Sequence, residues 1–254
     1  MTKHHQGRHA LVTGGGTGIG LGIAQMLAAQ GAQVTITGRR ADVLHAAAAQ
    51  TPGLHPLVMD VADESSVVQG CAAAIAARGP VTICVANAGI AEGKSMAKMD
   101  LAFWRNMMAI NLDGAYLTVR ECLGGMLAEN WGRVIFVASI AGLRGLKGAP
   151  AYTASKHGMI GLMRGLSEEY MGSGLTFNAL CPGYVDTDIV TRNTASIAAR
   201  AGIDPEQARQ MMVKTNRHKR LITADEVAVA AEWLCNPASG SINGQTVEIA
   251  GGQM

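Results

Sequence analysis

The 254-residue chain is poor in charge and in aromatic side chains. Only 16% of its residues are charged and 4% are aromatic, whereas 48% are hydrophobic, and the formal net charge is +2. The small net charge, and the lack of a Lys/Arg run interleaved with aromatic residues, argue against a nucleic-acid partner. So many hydrophobic residues with so few charges predict an ordered globular protein.

Cysteine is also scarce, and long apolar runs are absent. Apolar stretches are strand-sized, which argues against a membrane span, and the first six residues contain no signal-peptide core. His4, His5 and His9 have no nearby carboxylate or thiol partner, so no metal site is predicted. The five cysteines are dispersed and form no CxxC pair, so we expect buried thiols in a reducing cytoplasm: Cys71, Cys84, Cys122, Cys181 and Cys235.

Apolar, β-rich runs alternate with longer Ala/Leu-rich segments along the chain. This alternation implies right-handed crossovers and a parallel sheet covered on both faces. We predict an α/β fold of the doubly wound Rossmann type, with about seven strands and helices on both faces in three αβα layers. Strands are expected near 8–13, 33–38, 55–59, 81–86, 133–139, 175–181 and 245–249. Helices are expected near 18–30, 41–50, 63–78, 100–128, 151–171 and 223–235.

No repeat, low-complexity tract or linker divides the chain, so 1–254 is predicted to be a single nucleotide-binding domain. The irregular piece is the long segment 183–222, whose helical patches fall at 194–201 and 205–213. Long insertions of this kind are usually functional or disordered. We therefore predict a substrate lid at about 186–220, in which Met211 and Met212 are candidate apolar contacts to substrate.

A glycine-rich turn, TGGGTGIG, directly follows the first predicted strand. Glycines let the backbone approach a phosphate closely, and the helix that follows offers free N–H groups to an anion. The spacing GxxxGxG departs from the commoner GxGxxG, and an ordinary glycine-rich turn is the alternative. The residues predicted to bind the cofactor here are Thr13, Gly14, Gly16, Thr17, Gly18 and Ile19.

A tyrosine and a lysine lie four residues apart, at Tyr152 and Lys156, which places them on one face of a helix. A free phenol has a pKa of about 10 and transfers protons poorly near neutral pH. A nearby ammonium and an oxidised nicotinamide would both favour the phenolate, so we expect the pKa of Tyr152 to fall toward working pH. Ser139 ends the fifth predicted strand, at the edge where α/β sites assemble. A nucleotide cradle beside such a tyrosine predicts hydride transfer.

In this combination of motifs the chain resembles the classical short-chain dehydrogenase/reductase family, and the resemblance spans nearly the whole sequence. It implies an NAD(P)-dependent enzyme that interconverts a ketone and a secondary alcohol. It also implies four catalytic residues. Tyr152 is the general acid/base, Ser139 holds the substrate oxygen, Lys156 binds the nicotinamide ribose, and Asn111 holds a water that links the lysine to solvent.

The resemblance implies further cofactor contacts. Asp60 and Val61 match the pair beside adenine, although Asp60 as a simple helix cap is an alternative. Asn87, Ala88 and Gly89 match the family's stabilising segment, with an ordinary turn as the alternative. The remaining implied contacts lie on the nicotinamide side, at Pro182, Gly183, Val185 and Thr187, together with Tyr152 and Lys156.

The choice of nicotinamide is made at the end of the second predicted strand, at Gly38, Arg39 and Arg40. An acidic residue here would hydrogen-bond the ribose 2′-hydroxyl and indicate NAD, whereas guanidinium groups suit a phosphate. NADP is therefore predicted over NAD. Thr17 stands where many NADP-using relatives carry a second basic residue, and solvated arginines at a helix start are the alternative.

The substrate is a small-molecule carbonyl or alcohol. The lid sequence at 198–206 and 219–223 is similar to that of 3-hydroxybutyrate dehydrogenases. Those relatives anchor a carboxylate with polar residues where this chain has Ala91, Ala141 and Ala149, so a neutral or extended ketone is expected. Two alternatives stay open. One is a 3-oxoacyl carrier-protein or CoA reductase, with Arg144 and Lys147 as phosphate contacts. The other is a non-catalytic nucleotide-sensing or scaffold protein, which the intact catalytic residues disfavour.

Three glycines, Gly158, Gly161 and Gly165, lie in the helix that carries Tyr152 and Lys156. Each costs about 0.5–1 kcal/mol relative to alanine in a helix interior. Close approach of another backbone would explain them, and the resemblance implies pairing of this helix with its symmetry mate. A homotetramer is therefore predicted, with packing inside one subunit as the alternative.

Overall fold

The computed structural model describes residues 3–253, apart from the side chain of Arg200. Within them, seven parallel strands form one sheet in the order β3-β2-β1-β4-β5-β6-β7, which confirms the predicted doubly wound fold. Residues 1, 2 and 254 of the predicted domain lie outside this range. The strands are β1 (His9–Thr13), β2 (Gln33–Gly38), β3 (Leu54–Val58), β4 (Val81–Ala86), β5 (Gly132–Val137), β6 (Leu175–Pro182) and β7 (Thr246–Ile249).

Helices connect the strands and cover both faces of the sheet. No described helix is both long and apolar enough to cross a membrane. The helices are α1 (Gly18–Ala29), α2 (Ala41–Gln50), α3 (Glu64–Arg78), α4 (Leu101–Met108), α5 (Gly114–Ala128), α6 (Pro150–Glu169), α7 (Asp188–Ala201), α8 (Pro205–Thr215) and α9 (Ala224–Cys235).

Two helix boundaries differ from the sequence expectation. The single helix predicted at 100–128 is α4 and α5 joined by a π-helical turn over Ala109–Asp113. A π turn inserts one extra residue into a continuous helix, which hydrophobic periodicity does not register. In the lid segment, α7 begins at Asp188, six residues before the predicted patch at 194.

The core consists of two apolar layers, one on each face of the sheet. The central strand β4 is buried along its whole length, as expected for a strand covered by helices on both sides. One layer packs α3, α5 and α6 against Phe136 and Phe177, both fully buried. The other packs α1, α2 and α9 against the opposite faces of β1, β2 and β5. Full burial of each large apolar side chain contributes about 1.5–3 kcal/mol.

The direction of strand addition reverses between β1 and β4. From β1 the chain builds outward through β2 and β3, and from β4 it builds the other way to β7. In open α/β sheets, ligands bind at the carboxyl ends of the strands at such a reversal point. The turns that follow β1 and β4 therefore frame the position where a ligand is expected.

Candidate active site

A cavity of about 910 Å³ opens at this reversal point. It runs from the glycine-rich turn past the ends of β2, β4 and β5 to the lid helices. Ser139, Tyr152 and Lys156 lie on its wall, whereas Asn111 does not. The cavity wall also includes the predicted cofactor residues except Thr13: Gly14, Gly16, Thr17, Gly18, Ile19, Gly38, Arg39, Arg40, Asp60, Val61, Asn87, Ala88, Gly89, Pro182, Gly183, Val185 and Thr187.

The glycine-rich turn brings backbone, rather than side chains, to the cavity. Gly14 has a φ of +64°, a left-handed conformation that favours glycine. A Cβ on Gly14 would lie 2.9 Å from Asn87 Nδ2 and 3.1 Å from Ala88 Cα. Thr17, the N-cap of α1, makes no side-chain cap hydrogen bond. The first turn of α1 therefore has N–H groups available for an anion.

Thr13, the remaining predicted cofactor contact, lies outside the cavity lining. Its side chain is buried, and Oγ1 accepts hydrogen bonds from the backbone N–H groups of Asn87 and Ala88, both at 3.0 Å. Asn87 Nδ2 in turn donates to the Thr13 carbonyl at 2.8 Å. Thr13 therefore ties the turn after β4 to the turn after β1 and shapes the cradle indirectly.

The end of the cavity beside β2 is cationic. Arg39 and Arg40 are exposed on its rim, and neither forms an ion pair with any described residue. A Cβ added at Gly38 would meet only Leu44 Cδ2, at 3.8 Å, so this position is open. The alternative reading of Asp60 as a helix cap is wrong, because the cap of α3 is Asp63.

Helix α6 and the end of β5 bring the predicted catalytic groups together. Lys156 is 4% exposed, and its Nζ donates to the Val137 carbonyl at 2.9 Å. This Nζ lies 5.9 Å from the centroid of the Tyr152 ring. Ser139 follows β5 in extended conformation, and its Oγ accepts the Ala141 N–H at 3.1 Å.

The pKa of Tyr152 departs from the sequence expectation. Burial is the main cause and raises this pKa to about 12. A hydrogen bond with Ser139 lowers the pKa, and electrostatic interactions with Tyr184 and Cys181 raise it further. Burial also lowers the pKa of Lys156 to about 8. The expected fall in the pKa of Tyr152 is therefore not seen in the protein alone, because burial outweighs the hydrogen bond with Ser139. A phenol that stays protonated near neutral pH is suited to donate a proton to a ketone oxygen.

Asn111 is fully buried within the π turn between α4 and α5. Its Oδ1 accepts the Ile90 N–H at 2.8 Å, and its Nδ2 donates to the Ile90 carbonyl and to Ser155 Oγ, both at 3.0 Å. Ser155 Oγ donates to the Tyr152 carbonyl at 2.8 Å. The side chain of Asn111 therefore connects the turn after β4 to the helix of Tyr152. Sequence reasoning missed Ser155, although it directly precedes Lys156.

The lid end of the cavity combines apolar residues with the polar side chains of Arg192 and Asn193. Met211 and Met212, which the sequence singled out, both line it, as do Ala91 and Ala149. Ala141 is buried and lies outside the lining. Several lining residues here had no sequence signal of their own: Ile90, Leu146, Tyr184, Ile189, Arg192, Asn193 and Ile197.

Comparison with known proteins identifies the family. A family model described as short chain dehydrogenase matches residues 8–198. The D-beta-hydroxybutyrate dehydrogenase of Cupriavidus necator is 35% identical over 253 residues, which cover 97% of this chain and 97% of that enzyme. The 3-oxoacyl-(acyl-carrier-protein) reductase MabA of Mycobacterium tuberculosis is 33% identical over 245 residues, or 96% of this chain and 92% of that enzyme.

A solved structure agrees with these relatives. The crystal structure of an actinorhodin polyketide ketoreductase variant with NADPH matches this fold with a TM-score of 0.94 and 29% identity, over 99% of this chain and 98% of that one. The chain therefore belongs to the short chain dehydrogenase family, as its motifs predict, and is a dehydrogenase/reductase of the NAD(P)-dependent class.

Proposed function

We propose that this protein is an NADP-dependent oxidoreductase that interconverts a ketone and a secondary alcohol, with Tyr152 as general acid/base. One observation carries the proposal. A single cavity joins Tyr152, Ser139 and Lys156 to a glycine cradle and to two unpaired arginines. The relatives that match nearly the whole chain are named as dehydrogenases and reductases, which supports the same reaction class.

The fit of the cofactor rests on both ends of the cavity. At one end, the bare backbone of the glycine turn and the open first turn of α1 suit a pyrophosphate. At the other, Arg39 and Arg40 have no acidic partner among the described residues, and Gly38 contributes no carboxylate. Guanidinium groups without a carboxylate favour the 2′-phosphate of NADP over the free ribose hydroxyl of NAD.

The chain's own residues move the proton. NADPH, when bound, supplies the hydride. Ser139 orients the substrate oxygen beside the Tyr152 hydroxyl, and Tyr152 donates its proton to that oxygen as the alcohol forms. Lys156 holds its ammonium against the Val137 carbonyl, close enough to stabilise the phenolate that remains. Oxidation of the alcohol uses the same groups in reverse.

The wall of the substrate end favours a neutral or extended ketone. Ala91 and Ala149 offer no anchor for a carboxylate, and the methionines and isoleucines around them provide apolar contact. A 3-oxoacyl thioester is the second candidate. Lys147 on the cavity wall supports it, because its ammonium is placed to meet the phosphate of a carrier.

A substrate panel tests the function directly. Aliphatic, cyclic and aromatic ketones, 3-hydroxybutyrate and a 3-oxoacyl thioester would be assayed with each nicotinamide by the absorbance of its reduced form. We expect turnover of neutral ketones with NADPH. Arg39→Ala removes a charge-assisted phosphate contact of about 1.5–3 kcal/mol, so it should raise KM for NADPH far more than KM for NADH. Equal or better use of NAD(H) by the wild type would contradict the NADP assignment.

We further propose that 186–220 closes over the substrate as a lid on one nucleotide-binding domain. Its helices α7 and α8 supply Ile189, Ile197, Met211 and Met212 to the cavity wall, so their position bears on substrate access. Closures of this kind commonly gate turnover.

We also propose a cytoplasmic homotetramer. The five cysteines are free and buried, as suits a reducing compartment. A Cβ on Gly158 would lie 2.9 Å from Leu112, so packing within the chain explains this glycine. Gly161 and Gly165 face open space, which leaves room for a neighbouring helix. Light scattering behind a sizing column tests the assembly, and a mass near the single-chain value of 26.4 kDa would contradict it.

A further inference from the structure

Asn216 is a buried polar residue at the point where the lid segment returns to the sheet. It follows α8 directly and is 0% exposed. Its Oδ1 accepts the Tyr184 N–H at 3.0 Å, while Nδ2 donates to the Tyr184 carbonyl at 2.9 Å and to the Arg220 carbonyl at 2.7 Å. One amide thus binds both backbone groups of Tyr184 and the end of the lid segment.

A buried amide is tolerated only when its polar atoms are paired, because an unpaired polar atom keeps the full cost of leaving water. Asn216 meets that condition through backbone groups alone. Gly183 allows the arrangement, because a Cβ there would collide with Asn216 Oδ1. The contact therefore depends on both Asn216 and Gly183. An apolar side chain of similar shape at position 216 would leave the Tyr184 N–H and the Arg220 carbonyl without this partner.

The segment that Asn216 holds belongs to the active site. Gly183, Tyr184 and Val185 all line the cavity between the catalytic tyrosine and the lid. The Tyr184 carbonyl also accepts the Ile222 N–H at 3.0 Å. With both backbone groups of Tyr184 fixed, the direction in which its ring leaves the backbone is fixed as well.

The chain around Asn216 is supported from the opposite side. The Arg217 N–H donates to the Ala250 carbonyl at 2.9 Å, and Arg217 Nε donates to the Gln253 carbonyl at 2.9 Å. These bonds connect residue 217 to the chain that follows β7. Asn216 therefore lies on a braced segment rather than on the freely exposed part of the lid.

We propose that Asn216 is a positioning residue that holds Tyr184 and Gly183 in place for the ketone and couples them to the base of the lid. This inference rests on the proposed ketone reduction. Displacing a positioned group by about 1 Å can cost on the order of 10²-fold in rate. Asn216 is not among the residues that line the cavity, whereas Arg39 is, so we expect binding of the adenine half of the cofactor to be independent of Asn216.

The test compares Asn216→Leu, which removes all three hydrogen bonds, with Asn216→Asp, which keeps the oxygen acceptor and loses the donors. Gln210→Leu is the matched control, because Gln210 is an exposed residue of α8 that bonds only Glu206. We expect kcat/KM for the best ketone of the panel to fall about 10- to 100-fold in Asn216→Leu, through both KM and kcat. Asn216→Asp should fall less, and the control should match wild type.

Two further measurements separate positioning from general damage. Adenosine 2′,5′-bisphosphate, titrated by calorimetry, should bind all variants within about twofold if the fold is intact. In a Tyr184→Ala background, Asn216→Leu should cost much less than it does alone, because the ring that Asn216 positions is already absent. The inference would be overturned if Asn216→Leu lowered kcat/KM by the same factor with and without Tyr184→Ala. It would also be overturned if kcat/KM of Asn216→Leu equalled that of the Gln210→Leu control.

Hydrogen exchange gives a readout that does not depend on activity. The Tyr184 amide should exchange at least tenfold faster in Asn216→Leu than in Gln210→Leu, and it should change less in Asn216→Asp, which keeps the oxygen that accepts this N–H. Unchanged exchange at residues 182–186 would overturn the positioning role even if no ketone were turned over. Lack of wild-type turnover with faster exchange in the variants would instead contradict the proposed function and leave Asn216 as the residue that fixes Tyr184.

Discussion

The cofactor preference of this protein should change on a single substitution, Gly38→Asp. Gly38 ends β2 beside Arg39 and Arg40, and a Cβ there would meet only Leu44 Cδ2 at 3.8 Å. Its φ lies outside the left-handed region, so an aspartate enters without backbone strain. The new carboxylate would lie where the 2′-phosphate of NADP is expected, and where it would hydrogen-bond the 2′-hydroxyl of NAD.

The size of the effect follows from the charges involved. Hydrogen bonds to charged groups contribute about 1.5–3 kcal/mol each, and the carboxylate offsets at least one such contact with the phosphate. NADPH affinity should therefore fall about 10- to 150-fold. NADH affinity should stay the same or rise, since the ribose hydroxyl gains an acceptor. The thermal midpoint should change little, because the position is open.

Fluorescence titration with NADPH and with NADH measures both affinities without a substrate. Gly145→Asp is the matched control. Gly145 is exposed, and a Cβ built there would meet open space. The aspartate adds the same charge away from the adenine end of the cavity. We expect the control to keep the wild-type ratio of the two affinities. A Gly38→Asp protein that is folded and keeps that ratio would refute the placement of the 2′-phosphate beside Arg39 and Arg40.

Two other predictions concern stability and motion. His5 is fully buried with neither ring nitrogen hydrogen-bonded to a described residue, and burial, followed by His4, Arg8 and Arg133, lowers its pKa from 6.5 to about 4. The unfolded chain therefore binds this proton first as pH falls below 6.5, so stability is lost between about pH 6.5 and 4, by about 2 kcal/mol at pH 5. Urea unfolding at pH 7 and pH 5 should show a smaller loss in His5→Leu than in wild type or in the exposed control His45→Leu, and equal losses in all three would contradict this role. Amides of 186–220 should exchange more slowly with NADPH and a ketone bound than without ligands, whereas equal, strong protection in both states would indicate a fixed insertion.

Much of the fold could be predicted because its signals are local. Strand–helix alternation marked every strand to within two residues, and the strand β2 was predicted at its observed bounds. The glycine turn and the Tyr152/Lys156 spacing are short motifs, so one segment of sequence contains each. The π turn at Ala109–Asp113 was missed because one extra residue inside a helix leaves the apolar pattern almost unchanged.

The properties that the sequence did not predict depend on distant residues. The raised pKa of Tyr152 comes from burial, which depends on how α6 packs against β5, β6 and α4 rather than on the neighbouring Lys156. Thr13 lies behind the cavity wall because its hydroxyl bonds Asn87 and Ala88, more than 70 residues away in sequence. Asn216 acts on Tyr184, which is 32 residues distant. No spacing rule relates such pairs.

The most direct test of the account is the turnover of Tyr152→Phe with NADPH and the best ketone of the panel. Phenylalanine keeps the ring and removes the hydroxyl group, and with it the proton that Tyr152 donates. Loss of a general acid should lower kcat by about 10²- to 10⁴-fold, while NADPH affinity stays near the wild-type value. Near-normal turnover in a folded variant that binds NADPH would contradict the assignment of Tyr152, and with it the proposed mechanism.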